Sequence, residues 1–349
     1  MAYTDIDKSD DYFTTFLWTG NGSSTRSITG VGLQADMMWS KSRNQTHQHN
    51  LVDTVRGVNQ RLLMPNETSA EDTTGTQGYF NSLDSDGFSL TLGGAGGYNT
   101  NRSGDTYVGW FWKANGSGSS NTDGSITSTV SVNTTSGFSV GTYSANATSG
   151  ATVGHGLGVA PDWLMVKVRN STNNWAVYHK SMGATKAMYL DGSSGETTDG
   201  WLNNTAPDSS VFTLSGGNYG NASGYNLVFY AFAEKKGFSK FGEYTGNGST
   251  DGTFVYTGFK PAWVMIKKTT GDNWTLLDNK RNTYNPESKR LLANENLSEA
   301  SSETLDFLSN GFKCRRTDGA ENANGVKYIY MAFAENPFVT STGTPTPAR

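Results

Sequence analysis

Pro161-Asp162-Trp163-Leu164-Met165-Val166-Lys167 returns one hundred residues later as Pro261-Ala262-Trp263-Val264-Met265-Ile266-Lys267. A strand with one wet face alternates apolar and polar residues. A continuous apolar run of this length, opened by proline and closed by lysine, reads as a central strand covered on both faces. The likeness extends outward. Asn173-Asn174-Trp175 aligns with Asp272-Asn273-Trp274, and Tyr230-Ala231-Phe232-Ala233-Glu234 aligns with Tyr330-Met331-Ala332-Phe333-Ala334-Glu335 after one gap. Landmarks that keep their order and spacing mark an internal repeat of about one hundred residues.

A further copy precedes these two. Thr19-Gly20-Asn21-Gly22-Ser23 matches Thr245-Gly246-Asn247-Gly248-Ser249, and Lys41 matches Lys267 at the same shift. Leu51-Val52-Asp53 with Arg56 matches Leu276-Leu277-Asp278 with Arg281; Arg61-Leu62-Leu63 matches Arg290-Leu291-Leu292. The copies are placed at 1–115, 126–236 and 237–338, with a flexible Gly/Ser-rich linker at 116–125 and a loose Thr/Pro-rich tail at 339–349. Only Lys235-Lys236-Gly237 separates the second copy from the third, so those two are expected to pack as a fixed pair. Strands are expected at Met37–Arg43, Gly87–Leu92, Phe212–Leu214 and Leu227–Phe232, with turns at Asn21-Gly22, Asp86-Gly87, Asp191-Gly192 and Asp318-Gly319. One or two helical turns are expected at Leu297–Leu305, where Glu295, Glu299 and Glu303 recur every four residues, and at Glu67–Glu71. Six to eight short strands per copy predict an all-β protein of three tandem antiparallel β-sandwich, jelly-roll repeats.

Composition agrees. Gly, Ser, Thr and Asn supply 153 of the 349 residues, while charged residues are 17% and the formal net charge is −4. A surface so poor in clustered Lys and Arg argues against nucleic acid as a partner. No run approaches the length of a membrane span, and Met1–Asp11 lacks the apolar stretch of a secretory leader. Synthesis in a reducing cytosol is therefore expected. Cys314, the single cysteine, excludes an internal disulfide and is expected to be a small buried strand residue.

The succession of landmarks resembles a repeat of marine tailed-phage virion proteins. It runs through Thr19–Ser23, Asp36–Lys41, His49–Arg56, Arg61–Leu63, Asp86–Phe88 and Tyr107–Trp112, with later equivalents. The resemblance covers about nine-tenths of the chain. It implies a concanavalin-like β-sandwich and a place in a fibre, an appendage or another particle surface. The partners it implies are other virion proteins and host-surface polysaccharide, with several copies or a homo-oligomer on each particle. The second copy departs most. It lacks the Thr-Gly-Asn-Gly-Ser turn and has His179 where the others have Asp53 and Asp278.

Few constellations carry chemistry. No Glu-x-Asp-x-Glu strand of a sandwich-fold glucanase is present, and no Gly-x-Ser-x-Gly elbow stands between strand and helix. A polysaccharide-degrading enzyme is thus the least favoured reading, and no cofactor is expected. His47 and His49 share one strand face and form a weak candidate metal pair. The recurring pairs Asp53/Arg56 and Asp278/Arg281 either hold a loop or form a polar ligand site on the sandwich rim. Trp175, Trp201 and Trp274 stand among Asn, Asp and Gly, where they either pack inward or stack on sugar rings. The expectation is a non-enzymatic virion protein of a fibre or appendage that recognises host glycans. The alternative is a capsid decoration protein with no receptor role.

Overall fold

The computed structural model describes residues 3–94, 100–317 and 319–345, apart from the side chains of Asn218 and Glu303. In chain order the first block holds β1 (Phe13–Thr19), β2 (Thr25–Thr29), β3 (Met37–Ser42), β4 (Asn50–Asp53), β5 (Gly78–Asp84), β6 (Gly87–Leu92) and β7 (Thr106–Trp112). The second holds β8 (Ser119–Asn121), β9 (Ser128–Asn133), β10 (Phe138–Ser144), β11 (Ala151–Gly154), β12 (Trp163–Val168), β13 (Ala176–His179), β14 (Lys186–Tyr189), β15 (Thr197–Thr198), β16 (Val211–Leu214) and β17 (Asn226–Phe232). The third holds β18 (Ser239–Thr245), β19 (Phe254–Tyr256), β20 (Phe259–Lys268), β21 (Thr275–Asp278), β22 (Glu287–Leu292), β23 (Ala300–Leu308), β24 (Gly311–Cys314) and β25 (Lys327–Pro337). The protein is all-β, and every ladder between these strands is antiparallel.

One strand order recurs in the three blocks: β1-β7-β3-β4, then β10-β17-β12-β13, then β18-β25-β20-β21. The register recurs too, with Met37 opposite Trp112, Trp163 opposite Phe232 and Trp263 opposite Phe333. One face of each of these sheets meets further strands of its own block: the sheet β2-β6-β5 in the first, the pair β11-β16 in the second, and in the third β22-β23-β24-β19, which continue the same order beyond β21. The cores so formed are Trp18, Phe88 and Phe111 with neighbours, Trp201, Phe212 and Phe229 with neighbours, and Phe307, Phe312 and Tyr330 with neighbours.

The opposite faces all meet in one further core. It gathers Trp39, Trp110 and Trp112 from the first block, Trp163, Met165 and Phe232 from the second, and Trp263, Met265 and Phe333 from the third. Trp112 stands edge-on to Trp263 at 5.8 Å, and Phe232 meets Phe333 at the same distance. The void left at the centre is about 10 Å³, room for at most a single water. This packing explains the continuous apolar runs. Every residue of β3 and β12 is buried because each strand has one face in its own block's core and one in the shared core.

Three expectations change. The 116–125 stretch is not a free tether. Ser119–Asn121 pairs with β9, the Gly116 N–H donates to Asp36 at 2.9 Å, and Thr54 Oγ1 donates to the Gly116 carbonyl at 2.6 Å. Gly118, at φ +83°, approaches the Val130 backbone so closely that a Cβ would lie 2.8 Å from its carbonyl carbon. The described part of the tail is not loose either, since Val339 bridges to Pro345 and Ser341 N–H donates to Asp7. Leu297–Leu305 forms no helix. Ala300–Leu308 is a strand between β22 and β24, with Leu305 and Phe307 alternating into the core. Glu67–Glu71 is irregular and forms no helix. The Glu303 side chain and the Asp318 half of the Asp318-Gly319 turn lie outside the described residues. Cys314 is buried on β24.

Candidate functional site

The recurring polar residues gather where blocks meet. Lys41, Lys167 and Lys267 close equivalent strands, and all three are fully buried. Each ammonium donates to main-chain carbonyls rather than to a carboxylate. Lys41 Nζ reaches the Ser42 and Gln45 oxygens at 2.7 and 3.0 Å. Lys167 Nζ reaches Asn173 in its own block and Thr68 of the first at 2.7 Å. Lys267 Nζ reaches Asp272 in its own block and Gly192 of the second at 3.1 Å. Burial pushes the Lys41 ammonium down to about 7, and Lys167 and Lys267 to about 8.

Asp53 and Asp278 end β4 and β21. Asp53 accepts the Arg56 N–H at 2.9 Å, Arg56 Nε at 2.5 Å, and the Tyr230 hydroxyl of the second block at 2.7 Å. Arg56 continues to Glu71, and Glu71 takes both Nε and Nη2 of Arg169, again from the second block, at 3.2 and 2.9 Å. The third block repeats this. Asp278 accepts the Arg281 N–H at 2.9 Å, Arg281 Nε at 2.6 Å, and the Trp110 indole N–H of the first block at 3.0 Å. Arg281 continues to Glu299, which takes Arg43 of the first block at 3.0 and 3.1 Å. Burial opposes the charge on Glu71, but Arg56 and Arg169 outweigh it and hold the carboxyl below its ordinary range. The Asp–Arg pairs are thus internal locks, with both side chains at 0% exposure, and present nothing to a ligand on the rim.

The second block's departure has a physical reason. Tyr230 and Trp110 offer a proton to Asp53 and Asp278; the residue at their position in the third block is Met331, which has none to offer. Facing that block, His179 replaces the aspartate. Its Nδ1 accepts the Ser181 N–H at 3.1 Å, and its Nε2–H donates to the Tyr330 carbonyl at 3.4 Å. Burial lowers the His179 pKa to about 4, so the ring is neutral. Acceptor and donor change together.

The tryptophans do not reach solvent. Trp175, Trp201 and Trp274 are at most 1% exposed and offer no face for a sugar ring. Trp175 and Trp274 instead donate across junctions, to the Met64 carbonyl at 3.0 Å and the Tyr189 carbonyl at 2.9 Å. Trp201 packs in the second block's own core. His49 holds the matching position in the first block. Its Nδ1 accepts from Trp39, and its Nε2 donates to the Leu292 and Glu295 carbonyls at 3.0 and 3.2 Å. Its nitrogens are spoken for, and burial holds its pKa well below the ordinary value. His47 turns to Asp105 at 3.4 Å, so the metal pair does not form. No group of three His, Cys, Asp or Glu among the described residues is placed to hold a metal ion.

The large exposed side chains include Phe254, Tyr256 and Tyr284, the last at 81%. Sequence reading passed over these tyrosines because neither lies in a landmark. A shallow groove of about 480 Å³ runs along β1, bounded by Lys8, Asp10, Gly30–Gly32 and Lys280. A second, of about 410 Å³, lies over the Glu71–Arg169 pair. No helix among the described residues is long and apolar enough to cross a membrane.

Fold and site together define an all-β protein whose recurring polar residues hold its own blocks together. The chain belongs to the family described as Domain of unknown function (DUF7483), whose profile matches residues 8–337. Searches of the curated proteins and of the solved structures return no match.

Proposed function

We propose that the chain is a non-enzymatic structural protein on the outside of a tailed-phage particle, built from three tandem copies of one concanavalin-like sandwich. The recurring strand order and register support the three copies, and the sequence resemblance supports the particle. The observation that carries the structural role is the fate of the recurring residues. Lysine, Asp–Arg pair and Trp or His are all consumed in contacts within or between blocks, as scaffold residues are. The three blocks share a core, so they act as one rigid piece rather than as beads on a string. What faces water is mainly uncharged and polar, suited to hydrogen bonding with extended glycans through many weak contacts. Glycan stacking then falls to exposed Tyr256 and Tyr284, not to the tryptophans.

Immunogold labelling of intact particles with antibody to the purified chain tests the placement. Label on a fibre or appendage is expected, together with reduced host adsorption by particles lacking the protein. Label over the head with unchanged adsorption favours capsid decoration. Release of reducing ends from host polysaccharide by the purified protein overturns the non-enzymatic reading.

A further inference from the structure

The strands β1, β10 and β18 lie outermost in the recurring four-strand order, and each has one neighbour within it, β7, β17 and β25. The other side of each is a strand edge. An open edge presents a row of unpaired N–H and C=O groups, a template for a further strand. The chain treats its three edges differently.

In the second block the edge is filled. β9 pairs along β10, from Asn133 opposite Phe138 to Ser128 opposite Tyr143. Its Val130 and Val132 side chains lie over Gly156, where a Cβ would meet them at 3.5 and 3.3 Å. In the third block the space beside β18 is reduced to about 150 Å³. There Tyr3 of the N-terminal arm bonds Tyr256 at 2.6 Å, and Lys240 pairs with Glu234.

In the first block no strand among the described residues pairs along the outer edge of β1. The Gly20 N–H donates to Asp105 and the Lys113 N–H to Tyr12, so even-numbered residues of β1 pair with β7. The main-chain groups of Thr15 and Leu17 therefore point away from β7, into the 480 Å³ groove. Thr15 Oγ1, on the strand face that carries Phe13 and Leu17, is buried and has no hydrogen-bond partner among the described residues. The groove wall is Gly30-Val31-Gly32, the counterpart of Gly156-Leu157-Gly158, with positive φ at both glycines in each. Among the described residues nothing stands within 4 Å of where Gly30 or Gly32 would carry a Cβ.

We propose that this groove receives an extended polypeptide strand from a partner protein, which adds to β1 as β9 adds to β10. The occupant's chemistry follows from β9. It is an uncharged strand alternating valine-like and hydroxyl residues, its β-branched side chains over Gly30 and a hydroxyl opposite Thr15, as Ser131 stands opposite Val140. The four residues Thr14–Leu17 lining the groove span about 13 Å at ordinary strand rise.

The test uses the full chain and a synthetic peptide of residues 126–133, Ile-Thr-Ser-Thr-Val-Ser-Val-Asn. Amide exchange is followed by NMR. Thr15 and Leu17 are expected to exchange freely alone and to slow at least tenfold at saturating peptide, while Phe16 stays protected throughout. Leu17→Pro removes an outward donor without touching the β7 ladder and is expected to weaken binding at least tenfold; because Leu17 packs against the shared core, Leu17→Ala, which keeps the donor, serves as the control and is expected to lower the melting temperature while still binding the peptide. Three results overturn the proposal: no protection of Thr15 and Leu17 up to the solubility limit; protection changes confined to β10, which report exchange with the chain's own β9; or slowing by a soluble oligosaccharide and not by the peptide. Should Leu17→Pro unfold, the wild-type exchange pattern alone decides.

Discussion

Asp278→Ala is the sharpest probe of the locks. The carboxylate accepts four donors: Arg281 N–H and Nε, the Lys280 N–H at 3.2 Å, and the Trp110 indole. Alanine leaves the Arg281 guanidinium at 0% side-chain exposure with the Leu276 carbonyl at 3.0 Å, Glu299 at 3.3 Å and the face of the Trp110 ring at 5.8 Å. Each buried donor left unpaired costs about 1–3 kcal/mol, and removing one partner of a buried ion pair costs about 3–5 kcal/mol. These overlap, because the same Arg281 groups enter both. The expected loss is therefore about 3–5 kcal/mol, read by urea unfolding with tryptophan fluorescence. Asp278→Leu combined with Arg281→Met removes both charges and leaves Glu299 paired with Arg43. It is expected to cost less than the single change, about 1–3 kcal/mol. Two results refute the reasoning. One is a double variant less stable than Asp278→Ala. The other is an Asp278→Ala protein within about 0.5 kcal/mol of wild type that has lost attachment to cells, which would make the pair a ligand site.

Three further outcomes are expected. His179→Asp places a carboxylate opposite Met331 and the Tyr330 carbonyl, and should destabilise by about 3 kcal/mol or more, with Met331→Tyr restoring part of the loss; denaturant midpoints of the single and double variants check this. Subtilisin should cut near Tyr284, 81% exposed, before it cuts residues 116–125, and mass spectrometry of the first fragments decides between them. Burial lowers the pKa of His49, His155 and His179, so below pH 6.5 the unfolded chain takes up protons that the folded chain refuses, and stability falls toward pH 4. The same sign holds for Lys41, Lys167 and Lys267, whose folded values near 7–8 make stability rise between about pH 7 and pH 10; a melting temperature that falls over that interval contradicts their burial.

The sequence by itself determined the β class and the recurrence of strand landmarks. A continuous run such as Trp163–Val168 announces burial on both faces because no water-facing strand tolerates it. It does not say what covers the second face. Only the tertiary structure decided that the three blocks cover one another, since periodicity records burial and not the identity of the neighbour. The same limit applied to Trp175 and Trp274. Their polar flanks left inward packing and sugar stacking both open, and the structure shows their indole N–H groups reaching carbonyls more than eighty residues away. One signal was available: His49, Trp175 and Trp274 align, and each carries a ring N–H. The helix expected at Leu297–Leu305 failed because four-residue glutamate spacing and two-residue Leu305/Phe307 alternation coexist there, and pairing with β22 and β24 selected the second. The fate of the three strand edges was beyond the sequence altogether. β9 fills one and the N-terminal arm narrows another, and those contacts exist only once distant segments have been brought side by side.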